Sequence, residues 1–167
     1  MRFASACLAA IFICATSPAV AQTAKLINTF NDWQVFVHEA GDEKICFAAS
    51  APKDMKPKGV NRGSVFLYLT SWQKDGVKNE VSVKIGYTFK PDSVPTAAVG
   101  SDSFELYPKD DKAFMRDPAD ERKLIDAMRK GSSLTLKGLS SRGTNTEDTF
   151  SLSGVTAALT HVAEVCP

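Results

Sequence analysis

The sequence predicts an all-β fold, a β-sandwich carrying one surface helix and a short C-terminal helix. Three observations predict it. Short runs of alternating apolar and polar residues recur along the chain, separated by turn signals. A single well-capped helix in the second half has only a narrow apolar stripe. The last two dozen residues, Gly143 to Cys166, read as a turn, a short strand, a glycine junction and an amphipathic helix ending on cysteine. A partly open barrel is the structural alternative.

The first strand region comprises Ala24 to Ile27 and Trp33 to His38, with a turn at Asn31-Asp32 between them and Trp33, Val35 and Val37 on one face. Lys44 to Ser50 is apolar on both faces through Ile45, Cys46 and Phe47, as in a sandwich interior. Pro52 to Gly63, with two prolines, two glycines and no apolar period, reads as a loop. Ser64 to Trp72 is the strongest strand, with Val65, Leu67 and Leu69 on one face and Phe66, Tyr68, Thr70 and Trp72 on the other. A turn at Asp75-Gly76 leads to Asn79–Tyr87, whose alternation sets Val81, Val83, Ile85 and Tyr87 inward, so the two runs form an antiparallel hairpin.

Phe89 to Ser101 reads as a long connection, and short strands follow at Ser103–Tyr107 and Lys112–Arg116. Asp117 caps a helix that has Pro118 at its first position, Asp120 and Glu121 in its first turn, Arg129 and Lys130 in its last, and Gly131 as its stop. Its narrow stripe of Leu124, Ile125 and Met128 makes it a helix that rides on the surface. Ser132–Leu139 is a strand, Ser140–Glu147 a hydrophilic turn, and Asp148–Leu152 the last strand. In the terminal helix, with Ser153 as its expected cap, Val155, Ala158, Leu159, Val162 and Cys166 form one stripe, which aims Cys166 at the core.

The first residues have a different character. Arg2, an apolar run from Phe3 to Ala15 and the small-residue site Ala19-Val20-Ala21 make a Sec-type signal peptide over residues 1–21, with cleavage before Gln22. Residues 22–167 then form a single domain, and no later segment approaches the length of a transmembrane helix. Arg2 leaves with the leader, so bases and acids balance in the processed chain, which argues against a nucleic-acid partner. Cys7 and Cys14 leave too, and Cys46 and Cys166 remain. An even pair in an exported chain reads as one structural disulfide, and a reactive redox pair would require C-x-x-C spacing or an adjacent base. Closing so long a loop stabilises by about 4–5 kcal/mol in the chain-entropy model.

No motif for catalysis emerges. His38 and His161 stand far apart without metal-ligand spacing, and no nucleophile elbow, P-loop or dinucleotide fingerprint occurs. The acids from Asp110 to Glu121 fall at a helix start, where capping and the dipole explain them better than calcium does. The expectation is a protein that is not an enzyme and holds neither cofactor nor metal. Lys53, Lys56, Lys58 and Arg62 stand against Asp54 alone in the Pro52–Gly63 loop, a solvated loop or an anion contact. Trp33, Trp72 and Tyr68 read as core residues or as the lining of a ligand groove.

Several segments together resemble a known family. Asn31-Asp32-Trp33, Cys46 in KICFAAS, Ile85-Gly86-Tyr87, Ala127-Met128-Arg129-Lys130-Gly131 and Ser141-Arg142-Gly143-Thr144 come in that order. Thr149-Phe150-Ser151-Leu152-Ser153-Gly154, Ala157-Ala158-Leu159 and Cys166 complete the set. In this order and spacing the chain resembles the invasion-associated locus B family of alphaproteobacterial exported proteins. Val155 departs from the pattern, where a bulky aromatic is usual. The resemblance implies an immunoglobulin-like β-sandwich in the periplasm or on the outer surface and, in pathogenic members, a part in host-cell entry. It supplies no catalytic residues.

Two functional expectations follow. The first is a cell-envelope protein, periplasmic, outer-membrane associated or surface exposed, that acts by contact with a protein partner in the envelope or on a host cell. Its expected contact surfaces are the Pro52–Gly63 and Ser140–Glu147 loops, with Lys53, Lys56, Lys58, Arg62 and Arg142 as the residues that meet the partner. The second is a periplasmic binder of a small ligand or cell-wall fragment that uses Trp33 and Trp72.

Overall fold

The computed structural model describes residues 23–167, so the leader read over residues 1–21 lies outside the described residues. The chain is all-β with two helices, in a sandwich-like arrangement. The strands are β1 (Lys25–Phe30), β2 (Trp33–Ala40), β3 (Glu43–Ser50), β4 (Asp54–Lys56), β5 (Phe66–Trp72), β6 (Val77–Lys84), β7 (Thr96–Val99), β8 (Asp102–Lys109) and β9 (Lys112–Met115). Then follow α1 (Pro118–Lys130), β10 (Ser133–Leu139), β11 (Asn145–Ser151) and α2 (Val155–Val165).

Hydrogen bonding runs continuously through β1-β2-β3-β5-β6-β9-β8-β7-β10-β11-β4, every pairing antiparallel. The turn between two leaves happens within β8. Its first half pairs with β7 (Val99↔Asp102 to Thr96↔Glu105), and its second half with β9 (Leu106↔Met115 to Lys109↔Lys112). One strand that changes partners midway gives a large leaf β1-β2-β3-β5-β6-β9-β8 and a small leaf β8-β7-β10-β11-β4. Among the described residues the sheet does not close on itself, and β1 and β4 are its edges.

Two strands arise where the sequence reads as irregular. Asp54–Lys56 pairs with β11 inside the proline-rich loop, and Thr96–Val99 pairs with β8 and β10 inside the long connection. Both are only three or four residues long, too short for a period of two to show above the flanking prolines.

The inner faces of both leaves join in one core. Val35, Cys46, Ala48, Leu67, Leu69, Val81 and Val83 come from the large leaf, and Ala97, Leu134, Leu136 and Phe150 from the small one. Both helices contribute to this core. Helix α1 buries only Leu124, Ile125 and Met128 and keeps its charged face in water, as its narrow stripe predicts. Asp117 accepts a hydrogen bond from the Ala119 N–H at 2.6 Å, and the Gly131 N–H closes the helix on the Ala127 carbonyl at 2.8 Å. Glu121 reaches sideways to accept the Val81 N–H at 2.7 Å, beyond the last β6–β9 pair, Ser82↔Phe114.

Helix α2 buries Val155, Ala158, Leu159 and Val162 against the inner face of the large leaf. The Cys46–Cys166 disulfide, Cα–Cα 6.0 Å, ties the helix end to β3. The cap of α2 differs from expectation. Gly154, at φ 95°, takes the N-cap position with no side-chain bond, and the Ser153 hydroxyl instead accepts from the Asn31 side-chain amide at 3.0 Å. A Cβ at Gly154 would lie 2.0 Å from the Phe30 carbonyl oxygen, so the close crossing of the β1–β2 turn requires glycine here.

Candidate functional site

The pairing of β4 with β11 draws the Pro52–Gly63 loop alongside the Ser140–Glu147 turn, but the five cations expected to meet a partner do not form one patch: Arg62 and Arg142 line one hollow, Lys56 a second and Lys53 a third. Each of them already has a partner within the chain. Lys53 pairs with Asp32, Lys56 with Glu147 at 3.0 Å, and Lys58 with Asp54. Arg142 donates to the Asn61 carbonyl at 3.2 Å. The Lys56 bond holds the Glu147 carboxyl below the usual range.

Arg62 differs most from its expected role. Its side chain is 5 % exposed and that of Asp148 on β11 is 0 % exposed. The guanidinium is bidentate on the carboxylate, with Nη1 to Oδ2 at 2.9 Å and Nη2 on Oδ1. Arg62 is therefore an internal anchor for the loop and not a surface cation. Burial raises the Asp148 carboxyl above its ordinary range, and the guanidinium bonds oppose that rise. Next to the pair, the Tyr87 hydroxyl and the Thr146 hydroxyl bond at 2.6 Å.

The surface that stands out chemically is the outer face of the large leaf, away from both helices. Strand register lays it out as a grid. The row Leu26–Phe36–Phe47–Thr70–Glu80 crosses β1 to β6, and the row Tyr68–Ser82–Phe114–Tyr107 crosses β5 to β8. His38, Ile45 and Trp72 lie on the outer side of the first row, and Phe66, Lys84, Lys112 and Lys109 border the second. Leu26 and Tyr107, at the two ends, are 47 % and 45 % exposed, and Phe36, Phe47, Phe66, Tyr68, Trp72 and Phe114 are half-buried.

These rings shield one another. Phe36 and Phe47 stack at 5.1 Å between centroids, Tyr68 meets Phe47 edge-on at 6.0 Å, and Phe66 lies 5.8 Å from Tyr68. Arg116 rests over the Tyr107 ring at 5.0 Å. Burial raises the Tyr68 phenol. Two shallow hollows indent the face, one of about 490 Å³ around Phe36, Phe47, Phe66 and Tyr68, the other of about 410 Å³ between Trp72, Tyr68 and Phe114. Apolar side chains gathered on an uncovered face mark an interaction surface, whereas singly scattered ones do not.

The two tryptophans separate. Trp72 and Tyr68 lie on this outer face, while Trp33 is fully buried and donates its indole N–H to the Ser151 carbonyl at 3.1 Å. Trp33 therefore lines no ligand groove. Among the histidines, His38 joins the aromatic face, and His161 packs edge-on against Phe30 at 5.5 Å with Nδ1 3.2 Å from Glu164. The signal for the face was present in the alternation of Phe66, Tyr68 and Trp72 with Val65, Leu67 and Leu69. It became a site only when Phe36, Phe47 and Phe114 came alongside from other strands.

A family model described as Invasion associated locus B (IalB) protein matches residues 33–163. The match runs from the start of β2 almost to the end of α2 and so includes β2, β3, β5, β6, β8 and β9 of the aromatic face. No curated protein and no solved structure matches the chain.

Proposed function

Because the chain belongs to the invasion associated locus B family, we propose that it is a non-enzymatic, exported cell-envelope protein acting by protein contact through the aromatic face of its large leaf. The observation that carries this reading is the contiguity of Leu26, Phe36, Phe47, Tyr68, Phe114 and Tyr107 across seven strands with no element of the described chain over them. Aromatic anchors held by a rigid sheet lose little entropy on docking, which suits a contact surface. Export is supported by the leader-like character of residues 1–21 and by a disulfide that links distant parts of the chain. No helix among the described residues is long and apolar enough to cross a membrane.

The cationic loops take second place to the aromatic face, since their charges are engaged within the chain. Binding of a small ligand or cell-wall fragment is the alternative reading, favoured by the hollow of about 410 Å³ beside Trp72, which is ligand-sized. Tryptophan fluorescence separates the two, because Trp33 is sealed in the core and Trp72 supplies the response. A quench that saturates with envelope glycans or lipids supports the ligand reading.

The contact reading is tested in cells with a photoreactive phenylalanine analogue placed at Phe36 or Tyr107, and at the exposed Thr156 of α2 as control. Discrete protein adducts at the first two positions and none at the third are expected. Equal labelling at all three, or none at any, removes the aromatic face from the reading. Osmotic-shock release and protease treatment of intact cells then distinguish a periplasmic partner from one on a host cell.

A further inference from the structure

We propose that the occupant of the aromatic face is a second copy of this chain, packed face to face about a two-fold axis along the row Tyr68–Ser82–Phe114–Tyr107. This rests on the contact reading above and names its partner. Three features of the face lead to it.

The first is the state of the rings. Phe36 and Phe47 stack on each other, and Tyr68 and Phe47 meet in a T-shaped contact. A saccharide platform needs free ring faces for stacking. Rings already packed on one another form an uneven apolar relief, which suits another apolar protein surface better than a saccharide.

The second is size. The face spans six inter-strand gaps from Leu26 on β1 to Tyr107 on β8, about 29 Å at the usual strand spacing. From Phe66 to Trp72 along β5 it measures about 20 Å. Across an axis on the Tyr68–Tyr107 row, the strip within two residues of the row meets its own counterpart, about 13 Å by 29 Å or roughly 400 Å² before the relief of side chains is counted, the scale of a weak, reversible contact.

The third is reciprocity of charge. On one side of the Tyr68–Tyr107 row stand Lys84, whose ammonium lies a loose 3.9 Å from the Asp111 carboxylate, and Lys112, and on the other stand Glu80 and Arg116. A two-fold axis along the row reverses strand direction in the second copy. It places Glu80 over the Lys84 of that copy and Lys84 over its Glu80, while Tyr68, Phe114 and Tyr107 meet their own counterparts. Arg116 is drawn over the Tyr107 ring, away from the Lys112 that would face it. A self-complementary patch of this kind is what an isologous dimer requires.

Sedimentation equilibrium of the oxidised protein over a range of concentrations tests the proposal. The expected result is a reversible dimer at micromolar concentration. Lys84→Glu sets like charges against each other on both sides of the axis and weakens association about tenfold or more. Glu80→Lys combined with Lys84→Glu restores it. Tyr107→Ser, at an exposed position whose loss spares the core, weakens it as well.

A monomer at every concentration overturns the proposal, and so does a dimer indifferent to both Lys84→Glu and Tyr107→Ser. The in-cell cross-links keep this failure apart from failure of the contact reading. A monomer with adducts to a different protein at Phe36 or Tyr107 ends the self-pairing and leaves protein contact standing. A monomer with no adducts ends both.

Discussion

Replacing Arg62 with methionine tests the internal-anchor assignment most directly. The variant keeps most of the side chain's volume and removes only the guanidinium. Asp148, 0 % exposed, is left with no cation paired to either oxygen among the described residues. Breaking a buried ion pair from one side costs about 3–5 kcal/mol, because an uncompensated charge remains inside. Against a total stability on the order of 5–15 kcal/mol, that is a large fraction.

The loss also acquires a pH dependence. Burial raises the Asp148 carboxyl, and in the variant the guanidinium no longer opposes it. An acid whose pKa is higher in the folded than in the unfolded chain favours folding while protonated, and that contribution is lost as pH rises through the two pKa values. Arg62→Met should therefore lose least in mild acid and most at neutral pH. The double variant Arg62→Met with Asp148→Leu should recover most of the loss at every pH, since a buried pair and its apolar replacement are often close in stability. Urea unfolding at pH 5 and pH 7.5 measures all three proteins. A loss below about 1 kcal/mol for Arg62→Met at neutral pH, the level of an exposed ion pair, refutes the anchor argument.

Two further predictions concern the C-terminal helix. Cys46→Ala with Cys166→Ala releases a closure over a sequence separation of 120 residues and should lower stability by about 4–5 kcal/mol, with melting falling roughly 10–15 °C. A melt within a few degrees of the parent would show that packing alone holds α2. Gly154→Ala drives a methyl into the Phe30 carbonyl at a positive-φ site and should cost about 2–3 kcal/mol, from a strained backbone plus a displaced β1–β2 turn. Thermal melting reads this, and an unchanged midpoint would contradict the close crossing.

Much of the fold is legible in the chain because its physics is local. Asp117-Pro118 and Gly131 bracket α1 through capping and fixed φ, interactions that span a few residues. Alternation in Val81–Ile85 and the stripe from Val155 to Cys166 state which residues share a face. Once Cys7 and Cys14 are assigned to a leader, Cys46 and Cys166 have only each other, so even a long-range bond was readable. The short strands β4 and β7 were not, because three or four residues hold too little periodicity.

What the sequence determined by itself, then, is the class of fold, the ends of α1, the disulfide and the family resemblance. The tertiary structure decided which face of each strand is covered and which charges are spent. Alternation treats the two faces of β5 alike: Val65, Leu67 and Leu69 are apolar, and so are Phe66, Tyr68 and Trp72. Only the packing of the small leaf and the two helices against the first set closes it in and leaves the second facing out. Likewise Arg62 reads as one more loop cation until β4 pairs with β11 and brings it to Asp148, 86 residues away. Burial and ion pairing depend on what lies opposite in space, and no local pattern records that.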